Sequence, residues 1–114
     1  ITRVTKENSH LALTAHKNIT DLFKEITGIE KRSLASKYLH FHQPNAFFIY
    51  DSIANTNIRA RSRDKKVRHS YPKGYDDEYS AFVTRCLYYR DNYFENNIGG
   101  LATPRKLDKE LLGY

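Results

Sequence analysis

Only one stretch of this sequence has the character of a β-strand. It is the bulky apolar run Ala46-Phe47-Phe48-Ile49-Tyr50, and no second run of this kind exists for it to pair with. A lone strand cannot satisfy its backbone hydrogen-bonding groups in a sheet. We therefore predict that this run is a buried extended connector inside an all-α domain of about five helices.

Apolar residues spaced three and four apart predict the first helix, from about Ser9 to Thr27. Gly28 follows it, at the place where a residue in the left-handed conformation ends a helix at low energetic cost. The apolar residues are expected to form the buried face of this helix: Leu11, Ala15, Ile19, Leu22, Phe23 and Ile26.

Two shorter helices are predicted on either side of the connector. The first begins near Arg32 or Ser33 and ends before Pro44, because the residue before a proline avoids helical geometry. The second follows Asp51-Ser52, whose side chains are good N-caps, and continues through Ile58 into a basic segment.

The longest helix is predicted to start at the acidic run Asp76-Asp77-Glu78, which suits the positive end of a helix dipole. Arg90 interrupts its apolar face, and we expect this arginine to pair with an acid rather than to contact a ligand phosphate. The acids considered are Asp51, Asp91 and Asp108. The apolar face is expected to contain Tyr79, Phe82, Val83, Cys86, Leu87, Tyr93 and Phe94.

The last helix opens with Thr103-Pro104, a cap followed by a proline, and has Leu107, Leu111 and Leu112 as its inward face. A chain of 114 residues has room for one core, so we expect one domain covering residues 1–114. No apolar stretch approaches the roughly 20 residues of a membrane span. A cytoplasmic protein without membrane contact is therefore expected.

The sequence contains one cysteine, Cys86, and no methionine. One cysteine excludes an internal disulfide and a cysteine-based zinc site, and its place on an apolar face predicts an inert, buried thiol. His40 and His42 are two residues apart, so on a helix they point in different directions and do not form a metal site. We expect no metal and no cofactor, and a short leader is expected before Ile1.

The net charge of +6 is concentrated between Arg59 and Lys73. The basic residues of this segment that we predict as nucleic-acid contacts are Arg59, Arg61, Arg63, Lys65, Lys66 and Arg68. Lysine and arginine bind DNA or RNA by displacing the cations condensed on phosphates. The alternative is a solvated basic loop that only keeps the protein soluble.

Residues 28–59, GIEKRSLASKYLHFHQPNAFFIYDSIANTNIR, resemble the core of the helix-hairpin-helix DNA glycosylases. Gly28 to Lys31 is similar to the hairpin of that family, Ser33 to His42 to the helix after it, and Phe48 to Tyr50 to the connector. Asp51 is similar to the aspartate at the start of the next helix. Leu107 to Gly113 also resembles the helix that packs behind this site.

The resemblance implies a helical fold, a DNA ligand and a candidate catalytic role for Asp51. Glu30 stands where the family has a second hairpin glycine, and Arg32 or Ser33 occupies the region of the lysine nucleophile. Neither can form a Schiff base, so no lyase chemistry is expected. A carboxylate at Asp51 can activate water or stabilise a sugar cation, and a plain N-cap is the commoner role for such an aspartate.

Three functions follow from these observations. The first is a non-catalytic nucleic-acid-binding module that uses the basic segment. The second is a protein-interaction or homo-oligomerisation domain that uses the aromatic-rich longest helix, since aromatic residues are enriched at interfaces. The third is a hydrolase acting on a base or nucleotide through Asp51, and we favour a function other than catalysis.

Overall fold

A computed structural model describes residues 2–64, 67–68 and 70–113 of the chain. The described residues form five helices and no strand, which confirms the predicted all-α class. Helix α4 covers residues 77–98 and consists of an α-helical part, a π-helical turn and a final α-helical turn. The bounds are α1 Ser9–Thr27, α2 Arg32–His42, α3 Ser52–Arg61, α4 Asp77–Tyr89 with Arg90–Phe94 and Glu95–Ile98, and α5 Pro104–Leu112.

The helix ends follow local sequence signals. Asp51, Asp76 and Thr103 each accept a hydrogen bond from the backbone of the following helix, and these bonds cap α3, α4 and α5. Gly28 ends α1 with a φ of 75°, a conformation that glycine adopts without strain. The predicted bounds of α1 are confirmed at both ends, and Gly28 accounts for the second of them.

The connector between α2 and α3 is neither helix nor strand and is mostly buried, with Phe47 and Phe48 almost inaccessible. Side chains form hydrogen bonds to the connector backbone that a partner strand would form in a sheet. Ser36 Oγ accepts from the Tyr50 amide at 2.9 Å, and Tyr79 donates its hydroxyl to the Phe48 carbonyl at 2.7 Å. The Tyr50 amide and the Phe48 carbonyl therefore have hydrogen-bond partners without a sheet.

The main core lies between the connector, α3, α4 and α5. It includes Phe48, Ile58, Tyr79, Phe82 and Leu107, together with other buried residues of the same helices. Helix α3 packs against both α4 and α5, and α1 contacts α2 and α4. None of the described helices has the length and apolar character needed to cross a membrane.

The predicted buried face of α1 is wrong for three of its six residues, and the other three are only partly buried. Leu11, Leu22 and Ile26 are 53%, 47% and 73% exposed, and the buried residues of this helix are Ala12, Leu13, His16 and Thr20. The two polar members are satisfied inside the protein, because His16 Nε2 donates to a backbone carbonyl of α2 and Thr20 donates to the His16 carbonyl. Apolar periodicity does not detect a face that buries satisfied polar groups.

The predicted apolar face of α4 is correct except at Tyr93, which is 48% exposed. The π-helical turn adds one residue to the helical repeat, so Phe94 points inward in place of Tyr93. Arg90 is buried and pairs with Asp91 at 2.8 Å, while its Nη1 donates to the Val4 carbonyl at 2.6 Å. An acid partner for Arg90 was predicted, and the structure selects the adjacent aspartate.

Candidate nucleic-acid interface

Four arginines converge where the end of α3 meets α4. They line an open cleft of about 690 Å³ together with Thr56 and Ala60. We call them the arginine cluster: Arg59, Arg63, Arg68 and Arg85. A neighbouring cleft of about 240 Å³ shares three of these arginines and extends along the first turns of α4.

Local geometry explains part of this arrangement. Arg59 lies in the last turn of α3, and Arg63 lies two residues beyond the end of this helix. The carbonyl groups at the C-terminus of α3 carry partial negative charge, which favours cations at this place. Arg85 comes from the part of α4 that packs against α3.

The carboxylates of the described residues leave the arginine cluster without an ion pair. Within residues 2–64, 67–68 and 70–113, no carboxylate forms an ion pair with Arg59, Arg63, Arg68 or Arg85. Burial lowers the pKa of the Arg85 guanidinium, and the positive charges of Arg59 and Arg68 lower it further. The cluster is therefore a concentration of positive charge that an external anion would stabilise.

The structure separates the predicted contacts into three groups. Arg59, Arg63 and Arg68 lie together in the cluster. Arg61 points away, because residues two apart on a helix lie on different faces, and its guanidinium is 3.5 Å from a carboxylate oxygen of Glu110. The predicted contacts Lys65 and Lys66 lie outside the described residues.

Arg85 was not among the residues predicted from the sequence. It lies 17 positions beyond Arg68, outside the basic segment, and only the packing of α3 on α4 brings it to the cleft. The sequence nevertheless contains a signal that could have identified Arg85 as an unpaired cation. The residues three and four positions away on the helix are Ala81, Phe82, Tyr88 and Tyr89, so no acid is placed to neutralise this arginine.

Tyr71 lines the second cleft beside Arg59, Arg68 and Arg85. The ammonium nitrogen of Lys73 lies 3.8 Å from the centre of its ring. A partly exposed tyrosine ring next to arginines can stack an unpaired base on the face that Lys73 leaves uncovered.

The second cleft also has an acidic edge, formed by Asp77 and Glu78. Glu78 is engaged elsewhere, with its carboxylate 3.4 Å from Arg32 Nη1 and accepting from the Tyr50 hydroxyl at 2.7 Å. The more positive of the two clefts is therefore the larger one, in whose wall the described residues include no acid.

Asp51 has a structural role in the fold. Its Oδ1 accepts from the Ala54 amide at 2.7 Å, which is the N-cap bond of α3. Asp51 does not line either of the clefts at the arginine cluster. Burial of Asp108 raises the pKa of the Asp108 carboxyl, and the nearby Arg105 lowers it. The negative charge of Asp51 adds to the increase.

The described residues contain no group of three histidine, cysteine or acidic side chains that could hold a metal ion. His40 Nδ1 donates to the Phe47 carbonyl at 2.8 Å and so supports the connector. Cys86 is fully buried, and burial raises the pKa of its thiol well above the ordinary value. This thiol is therefore part of the core.

The aromatic-rich face of α4 is also part of the core. Tyr79, Phe82 and Phe94 are buried against the other helices of the same chain. Tyr88 and Tyr93 remain outside this core, where their rings contact each other edge to face at 5.9 Å.

A scan of protein-family models found no match to this chain, and the searches of curated proteins and of solved structures returned none.

Proposed function

We propose that this protein is a non-catalytic module that binds nucleic acid through the arginine cluster. The observation that supports the proposal is the convergence of Arg59, Arg63, Arg68 and Arg85 on one open cleft without an ion pair from the described carboxylates. Like charges held together repel one another, and phosphate groups would relieve that repulsion while releasing their condensed cations.

Tyr71 favours single-stranded over double-stranded ligands. In a single strand the bases are free to stack on an aromatic ring, whereas in a duplex they are already stacked. Phosphates in the larger cleft and a base on Tyr71 would together occupy both clefts. The position of this tyrosine beside three of the four arginines supports such an arrangement.

The predicted likeness to helix-hairpin-helix glycosylases supports a nucleic-acid ligand but points to another surface. Glu30 lies in the segment that resembles the hairpin, and its carboxylate is within 4 Å of both Lys24 and Arg32. An anionic side chain there repels a phosphate. The proposal therefore uses the arginine cluster and includes a cytoplasmic location, which a lone reduced cysteine supports.

Fluorescence anisotropy of labelled single- and double-stranded DNA and RNA at two salt concentrations tests the proposal. We expect affinity to fall steeply with added salt, and tighter binding to the single strands than to the duplexes. Arg63→Gln and Arg85→Gln should each reduce the slope of log affinity against log salt by about one. Tyr71→Leu should weaken single-strand binding and leave duplex binding nearly unchanged.

Arg61→Gln is the matched control, because it removes the same charge from the same segment at a residue that pairs with Glu110. We expect it to keep the wild-type slope. The proposal is wrong if the protein binds no nucleic acid at low salt, or if Arg61→Gln weakens binding as much as Arg63→Gln does.

A further inference from the structure

Helices α1 and α2 and the link between them expose a set of large apolar side chains. On α1 these residues are four apart, and on α2 they are four and three apart, so each helix contributes one continuous stripe. The rings of Phe23 and Tyr38 meet at 6.1 Å and bring the two stripes together. We call this the hairpin surface: Leu22 (47% exposed), Ile26 (73%), Ile29 (58%), Leu34 (53%), Tyr38 (47%) and Phe41 (83%).

The hairpin surface is large for a chain of this size. Taking about 150 Å² for each fully exposed side chain, these six residues present on the order of 500 Å² of apolar area. This value lies near the top of the range for the largest apolar patch on a monomer. Polar residues around the apolar patch would add to its area. The total then approaches the roughly 800 Å² that each partner contributes to a standard protein interface.

The charges beside the hairpin surface are complementary to those of a second copy. Glu25 on α1 is one turn from Leu22, and Lys37 on α2 is one turn from Leu34. Both are exposed, and neither forms an ion pair with another described residue. In a two-fold dimer the acidic edge of one copy faces the basic edge of the other, and the reverse contact forms at the same time.

Most other charged groups near the surface are paired within the chain, but Lys31, in the link between the two helices, forms no ion pair with a described residue. Lys17 is 2.9 Å from Asp21, and Glu30 lies between Lys24 and Arg32. The unpaired charges at this surface are therefore of both signs, in a protein whose net charge is +6. An apolar surface flanked by Glu25 on one helix and by Lys31 and Lys37 at the other fits a second copy of itself better than a partner of a single charge sign.

We infer that the hairpin surface is a homodimer interface, in which Phe41 and Ile26 of each copy pack against the other and Glu25 faces Lys37 across a two-fold axis. None of its residues belongs to the arginine cluster, so dimerisation leaves both copies of that cluster accessible. The inference does not depend on the proposed function, and either can fail without the other.

Sedimentation equilibrium of the full chain over about a hundredfold range of concentration, centred on the micromolar region that interfaces of this size permit, is the first test. We expect a concentration-dependent shift from monomer to dimer. Phe41→Ser should raise the dissociation constant about tenfold or more, because it removes the most exposed aromatic ring. Leu101→Ser is the matched control, since Leu101 is 74% exposed but lies outside the surface.

A charge exchange tests the two-fold arrangement directly. Glu25→Lys and Lys37→Glu should each weaken dimerisation about tenfold, because each places like charges opposite one another. An equimolar mixture of the two variants should associate as well as the wild type, since every cross-pair is then of opposite charge. Both residues are exposed, so neither change should disturb folding.

A chain that stays monomeric at every concentration overturns the inference. It is also overturned if Leu101→Ser weakens association as much as Phe41→Ser, or if the mixture of charge variants associates no better than either variant alone. Binding of the monomer to phosphatidylcholine and phosphatidylserine vesicles, lost in Phe41→Ser, would assign the surface to a lipid instead.

Discussion

The imidazole ring of His16 stacks on the phenol ring of Tyr79, with ring centroids 3.7 Å apart and planes inclined by 13°. Both side chains are fully buried. His16 donates from Nε2 to the Arg32 carbonyl, and Tyr79 donates its hydroxyl to the Phe48 carbonyl. The stacked pair therefore joins α1 to α4 and also holds the start of α2 and the connector.

Stability should depend on pH through His16. Burial lowers the pKa of this imidazole below its ordinary value of 6.5, because the charged form loses its hydration. The unfolded chain then binds the proton first as the pH falls. The free energy of unfolding should therefore decrease below about pH 6.5, by up to about 1.4 kcal/mol per pH unit, until the folded form is protonated as well.

Urea unfolding at about pH 7.5 and about pH 5.5 measures this effect. His16→Phe keeps an aromatic ring on Tyr79 without a titrating group, so its stability should depend less on pH over this range. His10→Gln is the control, because the His10 side chain is exposed and its removal should leave the pH dependence in place. A wild-type stability that is equal at the two pH values would contradict a buried neutral His16.

Asp76 should contribute strongly to stability. Burial works to raise the pKa of its carboxyl, but hydrogen bonds from Arg32 and from the Tyr79 amide outweigh it and hold the pKa below the usual value. The Arg32 bond is 2.6 Å and the amide bond, which caps α4, is 2.9 Å. Asp76→Ala should lower the free energy of unfolding by about 2–4 kcal/mol, since it removes the cap and the partner of Arg32.

Asp76→Asn separates the two contributions, because an amide oxygen still caps the helix but carries no charge. We expect a loss about half as large, measured by chemical unfolding at neutral pH. Asp77→Ala is the control at an exposed neighbouring position. Equal losses in Asp76→Asn and Asp76→Ala would show that the charge, and not the cap, accounts for the whole effect.

Asp108 should be replaceable by asparagine. Its Oδ2 accepts from Arg105 at 2.7 Å, whereas its buried Oδ1 has no hydrogen-bond partner among the described residues. Burial raises the pKa of this carboxyl, and the Asp51 charge nearby adds to the shift against the opposing Arg105. Asp108→Asn should leave the free energy of unfolding unchanged or raise it by about 1 kcal/mol, because it removes a buried charge and keeps an oxygen for Arg105.

Thermal or chemical unfolding at neutral pH checks this expectation, with Asp77→Asn as an exposed control. A loss of more than about 2 kcal/mol in Asp108→Asn would show that the carboxylate charge itself is required.

Asp51 should act as a cap and not as a catalytic group. Asp51→Ala should lower the free energy of unfolding by about 1 kcal/mol, and Asp51→Asn by less, because an asparagine oxygen can also accept the Ala54 amide. Both variants should bind nucleic acid as the wild type does, since Asp51 lies outside the arginine cluster. The hydrolase hypothesis would be supported only by a base- or sugar-cleaving activity that Asp51→Asn abolishes.

The sequence by itself determined the helices and most of their ends. Caps, prolines and glycines act within a few residues, so Asp51, Thr103 and Gly28 mark helix ends without reference to the rest of the chain. The connector was predictable because the sequence contains a single strand-like run, which has no second strand to pair with. The sequence also shows that Arg59, Arg63 and Arg68 belong to one basic segment.

Only the tertiary structure decided which surfaces meet. The buried face of α1 depends on His16 finding Tyr79 and a carbonyl of α2, and these contacts lie far apart in the sequence. Arg85 joins the cluster because α4 packs on α3, and Arg61 leaves it for Glu110 on α5. Helical periodicity reports which residues share a face, but the energy of burying that face depends on the partner that covers it.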